Sequence, residues 1–148
     1  MRESLAATPR RVDPVASGAP SSGDPVTLVE LLFFAYRDFV GEADRLLSRY
    51  GFGRAHHRVL HFVARNPGLT IAELLQILNI TKQSLARVLR DLIEGGFVDQ
   101  RTGEEDRRQR LLFVTAVGKG LADDLLALQC ARVQRALEPL GPADRQAA

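Results

Sequence analysis

Residues 70–96 read TIAELLQILNITKQSLARVLRDLIEGG, and the fold turns on how this stretch divides. Thr70 stands three residues before Glu73, the spacing at which a threonine and a glutamate satisfy each other's unpaired helix-start N–H groups. A short helix opens there with Ile71, Leu74, Leu75 and Leu78 on its inner side. Only Asn79 and Ile80 separate it from Thr81, which caps a second helix reaching Glu94, with Leu85, Val88, Leu89 and Leu92 on one face. Gly95-Gly96 closes it. Short helix, tight turn and capped helix make a helix-turn-helix, an arrangement that presents the N-terminal end of its second helix to the major groove of duplex DNA. The outward positions are Lys82, Gln83, Ser84, Arg87, Arg90 and Asp91. Arginine suits guanine, glutamine suits adenine, serine suits a base edge or a phosphate, and Lys82 suits a phosphate.

Downstream, Phe97-Val98-Asp99-Gln100 and Leu111-Leu112-Phe113-Val114-Thr115 change to the period of strands. The ten residues between them are too polar for a core and predict a protruding hairpin with Arg107, Arg108 and Arg110, the groups that a narrow minor groove attracts. Glu104, Glu105 and Asp106 sit beside them, so residues 70–115 hold seven bases and seven acids. Complementarity to a polyanion would therefore be local, with the acids, Asp106 especially, orienting arginines by charge-assisted hydrogen bonds. From Gly118 a last long helix carries Leu121, Leu125, Leu128, Val133 and Leu137 as far as Pro139.

Upstream, residues 1–25 hold four of the seven prolines and few large apolar groups, the composition of a disordered tail. From Val26, apolar residues recur at three- and four-residue steps through Leu47, a long amphipathic helix with Thr27 and Glu30 as its capping box and Gly51 and Gly53 at its end. A further helix covers about 54–65, burying Val59, Leu60, Phe62 and Val63, and stops at Asn66-Pro67-Gly68. Net charge is +2, too small to argue for a polyanionic partner by itself. One cysteine, Cys130, excludes an intramolecular disulfide framework and fits a reducing cytoplasm, its expected role being packing in the core or an interface. There is no apolar run long enough to span a membrane and no signal-peptide core. No phosphate loop, nucleophile elbow or interpretable carboxylate pair is present, so neither catalytic residues nor cofactors are assigned.

The run from Thr81 to Leu89, Gly95-Gly96-Phe97-Val98, Asp106-Arg107-Arg108, and Leu112, Thr115 and Gly118 together resemble the MarR family of bacterial regulators over roughly residues 27–138. The wing's Asp-x-Arg falls on Asp106 and Arg108. His56-His57 and the Thr-Lys-Gln-Ser start of the second helix are similar to a proteobacterial branch that includes PetP-type regulators. The resemblance implies a mainly α fold: a winged helix-turn-helix with a two-stranded β wing and long N- and C-terminal dimerisation helices. Residues 26–148 would form one domain, with a DNA-binding lobe over about 54–116 and dimer helices over about 27–50 and 118–148. It further implies a cytoplasmic homodimer on double-stranded DNA at a pseudo-palindromic operator, often as a repressor released by a small-molecule inducer. Thr81, Lys82, Gln83, Ser84, Arg87, Arg90, Arg107, Arg108 and Arg110 are the expected DNA-binding residues, with Asp106 orienting the wing. Phe33, Phe34, Tyr36 and Phe39, or His57 and His61, are candidate liners of a ligand pocket, the aromatic side chains serving equally as dimer core. Two histidines four apart do not make a metal site, so none is assigned. The rival reading is a winged-helix interaction module that does not bind DNA.

Overall fold

A computed structural model describes residues 24–103 and 106–141; the tail expected over 1–23, Glu104 and Glu105, and residues 142–148 lie outside the described residues. The elements in chain order are α1 (Pro25–Ser48), α2 (Arg54–Arg65), β1 (Leu69–Thr70), α3 (Ile71–Leu78), α4 (Lys82–Glu94), β2 (Val98–Thr102), β3 (Arg110–Val114) and α5 (Ala116–Leu137). By packing, the described chain divides into two units between Phe34 and Ala35. The described part of the first is the opening of α1. The second carries the winged helix-turn-helix.

Local chemistry sets the helix ends. The start of α1 differs from the expected Thr27–Glu30 box: Asp24 takes the Val26 N–H at 3.2 Å and the Thr27 hydroxyl at 3.0 Å. Pro25 then occupies the first helical position, where its missing N–H costs nothing. Thr70 and Glu73 do form their reciprocal box, with Glu73 N–H on Thr70 Oγ1 at 3.2 Å and Thr70 N–H on Glu73 Oε2 at 2.8 Å. The Thr70 hydroxyl, which donates to Glu73 Oε2 at 2.6 Å, and then the Thr70 N–H hold the Glu73 carboxyl below its ordinary pKa. Thr81 caps α4 through the Ser84 N–H at 3.2 Å. Asn79, in the turn between α3 and α4, is left-handed at φ 50°, a conformation asparagine tolerates better than most residues.

The sheet has three strands in the order β1-β3-β2, all antiparallel, rather than the two expected. The extra strand is two residues long, Leu69 pairing Leu112 and Thr70 pairing Leu111, too short to show a period in sequence. Beneath the sheet, Leu47, Val59, Leu60, Val63, Leu74, Leu85, Leu92, Val98, Leu112 and Leu125 are essentially sealed from solvent. Phe62, expected in the core, packs on its edge.

The last helix starts two residues earlier than expected, at Ala116, because Thr115 rather than Gly118 organises its entry. Thr115 Oγ1 accepts the Gly118 N–H at 3.0 Å and donates to the Gly96 carbonyl at 2.6 Å, while the Thr115 N–H bonds the Phe97 carbonyl at 3.1 Å. Gly118 lies so near Phe97 that a Cβ there would overlap the Phe97 carbonyl oxygen. Gly118→Ala should destabilise the fold by about 3 kcal/mol, since backbone rather than a flexible side chain must yield. Gly120→Ala, two residues along the same helix with open space around it, should stabilise by about 1 kcal/mol. Urea unfolding of the two variants measures both; equal effects would refute the close-packing argument.

Candidate functional site

Helix α4 is amphipathic with its two faces cleanly divided. Leu85, Val88, Leu89 and Leu92 are buried, and Lys82, Gln83, Ser84, Arg87 and Arg90 are exposed. Thr81 is exposed as well, but its hydroxyl is committed: it accepts the Ser84 N–H and donates to Ser84 Oγ at 2.9 Å. The Ser84 hydroxyl hydrogen is what this pair can still offer to an acceptor. Asp91 departs from the expected outward set. Its carboxylate is bonded at 3.0 Å by His56 Nε2, from the first turn of α2. Sequence spacing could not show this, because 35 residues separate the partners.

The wing is a five-pair hairpin of β2 on β3, from Val98 opposite Val114 to Thr102 opposite Arg110. Its tip is braced by backbone bonds from Gly103 N–H to the Gln109 carbonyl at 3.1 Å and from Gln109 N–H to the Asp106 carbonyl at 3.0 Å. Asp106 holds Arg108, though not by the guanidinium as expected. Its Oδ1 accepts the Arg108 backbone N–H at 2.9 Å, the local turn that aspartate forms with the residue two ahead. Arg107 and Arg108 are exposed at the tip, and Arg110 is exposed on β3 with its Nη1 on Thr102 Oγ1 at 2.6 Å. On β2, Arg101 is pinned by Asp99 at 2.9 Å and by the Phe113 ring, 4.5 Å from its guanidinium carbon.

These bonds resolve the neutral balance of residues 70–115. Glu73 belongs to a helix cap, Asp91 to His56, Asp99 to Arg101 and Asp106 to the wing backbone. No ion pair among the described residues holds Lys82, Arg87, Arg90, Arg107 or Arg108. Four of the five acids described in this segment are engaged in this way, Glu94 being the exception, while these cations stand on its surface.

Helix α2 braces both helices of the motif. Besides the His56–Asp91 bond, Arg58 Nη2 donates to the Leu78 carbonyl at 3.1 Å, covering an unpaired acceptor at the C-terminal end of α3. Arg58 was missed in sequence; its only signal was a cation in a stretch, 51–69, that has no acid.

The opposite side of α2 lines a cavity of about 780 Å³ together with α1 and α5. Tyr36, Phe39, Phe62 and Val133 give it apolar walls, and Arg54, His57, Arg58 and His61 give it basic ones. Of the expected liners, Tyr36, Phe39, His57 and His61 belong to it; Phe33 and Phe34 are not part of this lining. Arg54 is fixed by Asp44 at 2.9 Å. Cys130, expected to pack in the core or an interface, is exposed in the single chain, so it is not in the core, and it borders the cavity.

Comparison with known proteins agrees with this architecture. Residues 50–109 match the family model described as MarR family. The transcriptional regulator PetP of Rhodobacter capsulatus, described as of helix-turn-helix type, is 46% identical over 114 residues, covering 77% of this chain and 69% of that one. A crystal structure of MarR superposes with a TM-score of 0.66 at 25% identity, covering 88% of this chain and 86% of the other. A MarR transcriptional regulator from Methanosarcina mazei shares the fold with a TM-score of 0.67 at 23% identity, over 82% and 87% of the two chains. With a braced helix-turn-helix, an arginine-tipped wing and a relative so alike in sequence, the chain belongs to the MarR family of transcriptional regulators.

Proposed function

We propose that this regulator binds a specific pseudo-palindromic site on double-stranded DNA as a homodimer in the cytoplasm, acting as a repressor that a small molecule releases. The observation that carries the DNA reading is the division of charge just described, with Glu73, Asp91, Asp99 and Asp106 engaged internally and Lys82, Arg87, Arg90, Arg107 and Arg108 left for phosphates and base edges. Helix α4 supplies the major-groove element and the wing the minor-groove element. Homodimer formation is supported by the opening of α1, where Val26, Leu32 and Phe33 are 64%, 70% and 69% exposed, apolar surface that a monomer leaves in water. Inducer binding is supported by the cavity, whose size suits a small organic molecule and whose basic side chains suit an anionic group on it. Arg58 belongs to both the cavity and the α3 terminus, so a ligand engaging it competes with the Leu78 carbonyl and loosens the motif.

Three outcomes test these proposals. Wild-type protein should prefer a duplex from its own promoter region over a scrambled one by about a thousandfold, and Arg108→Ala should cost about 1–3 kcal/mol and flatten the salt dependence. Equal weak binding to both duplexes would favour the interaction-module reading. Light scattering should give a dimer mass for the wild type and a monomer mass for Leu32→Glu combined with Phe33→Glu; a dimer that survives both charges would place the contact elsewhere. The third concerns His57, whose pKa lies below the ordinary 6.5, first because burial disfavours the charged ring, then because His61 is near, with Asp44 pulling weakly the other way. The unfolded chain therefore binds this proton more readily than the folded one, so stability falls as pH drops through 6.5 and levels only below the folded value. Urea midpoints between about pH 8 and about pH 5 should show that slope, reduced in His57→Gln. An unchanged slope would mean the ring is not buried in its neutral form.

A further inference from the structure

We propose that His56 and Asp91 form a clasp that sets the pose of α4, making them positioning residues for sequence-specific binding; the inference rests on the DNA reading above. Asp91 is an unfavourable choice for its place. It lies in the last turns of α4, where the helix dipole opposes a carboxylate, and no basic residue of the last turn compensates it. A carboxylate on a helix that faces phosphates also repels them. Its compensation is His56, and His56 is itself fixed. The Gly53 N–H donates to His56 Nδ1 at 3.1 Å, so Nδ1 carries no hydrogen and Nε2 must be the donor to Asp91 Oδ2. One tautomer of the neutral ring thus fills both bonds.

The ring cannot tilt freely. Phe52 stacks on it at 4.8 Å with planes 12° apart, and Phe52 in turn meets Phe97 edge-on at 5.0 Å. Phe97 is the residue whose carbonyl touches the start of α5 and whose chain leads directly into the wing. The clasp therefore ties the far end of α4 to the α1–α2 turn, the root of the wing and the entry of the last helix.

Lever geometry gives it weight. Nine residues from Asp91 to Lys82 span about 14 Å of helix, so a tilt of about 10° at the clasp moves the reading end by about 2 Å. Hydrogen bonds to base edges tolerate only a few tenths of an ångström. Contacts to phosphates alone are less demanding, so the clasp should matter for the specific site and little for other DNA.

The experiment uses full-length protein, a duplex enriched by the wild type from a randomised pool, and a scrambled duplex of equal composition. Asp91→Ala and His56→Phe, the latter keeping the stack on Phe52 but losing both polar bonds, should each weaken the enriched duplex about tenfold. Binding to the scrambled duplex should stay level or tighten. The double variant should be no worse than either single one, and Asp91→Asn, which keeps an oxygen for the Nε2 hydrogen, should recover to within about twofold of wild type. If Asp91→Ala tightens both duplexes alike, the carboxylate is only a repelling charge and the proposal is wrong. Additive losses in the double variant, or Asp91→Asn as weak as Asp91→Ala, would overturn it too. A wild type that enriches no sequence would instead defeat the DNA reading beneath it.

Discussion

The contact on which most of the molecule depends is the knot of backbone at Gly96, Phe97, Thr115 and Gly118. One threonine hydroxyl accepts from the first turn of α5 and donates to the turn that ends α4, and the Phe97 carbonyl receives the Thr115 N–H. At this point the exit of the recognition helix, both roots of the wing and the start of the last helix are fixed within one or two bond lengths. Gly118 is glycine because the approach leaves no volume for a methyl group. The spaced leucine, threonine and glycine at 112, 115 and 118 are therefore a packing device: Leu112 is buried in the central strand, Thr115 ties and Gly118 admits.

Much of this was legible in the sequence wherever the signal is local. Thr70 with Glu73, Thr81 with its N–H three residues on, and the ends of α2 and α4 follow from spacing alone, because caps act within one turn. Illegible features share a different physics. The β1 strand exists only because β3 offers a free edge, the Asp106 carboxylate finds a backbone N–H nearer than any guanidinium, and Asp91 meets a histidine from another helix. At the start of α1, Thr27 loses the cap to Asp24 because Pro25 fixes where the helix begins. Each of these is decided by what the folded chain brings close.

Charge shows the same division. A count over residues 70–115 gives neutrality and argues against a polyanion, yet the structure sorts the signs. Every acid described in that segment except Glu94 makes a bond to a cap, a histidine, an arginine or the wing backbone. The neutral count thus includes four acids engaged in bracing, while Lys82, Arg87, Arg90, Arg107 and Arg108 stand exposed.

That sorting has a consequence for recognition. Residues 70–115, without net charge, exert little long-range pull on DNA, so under the proposed function the nonspecific affinity that the motif and wing contribute, which depends on released counterions, should be modest. Discrimination then has to come from well-placed hydrogen bonds at base edges, and their energy falls away steeply with displacement. Bracing of α4 near its C-terminal end, by the His56–Asp91 bond, is the structural answer to that demand. A strongly basic lobe could tolerate a loosely held helix, because phosphates would capture it anyway. In this chain Asp91, the acid that holds α4 to His56, also offsets one of the cations of residues 70–115, so under the proposed function a single bond would both favour a precise fit and lessen the attraction to DNA at large.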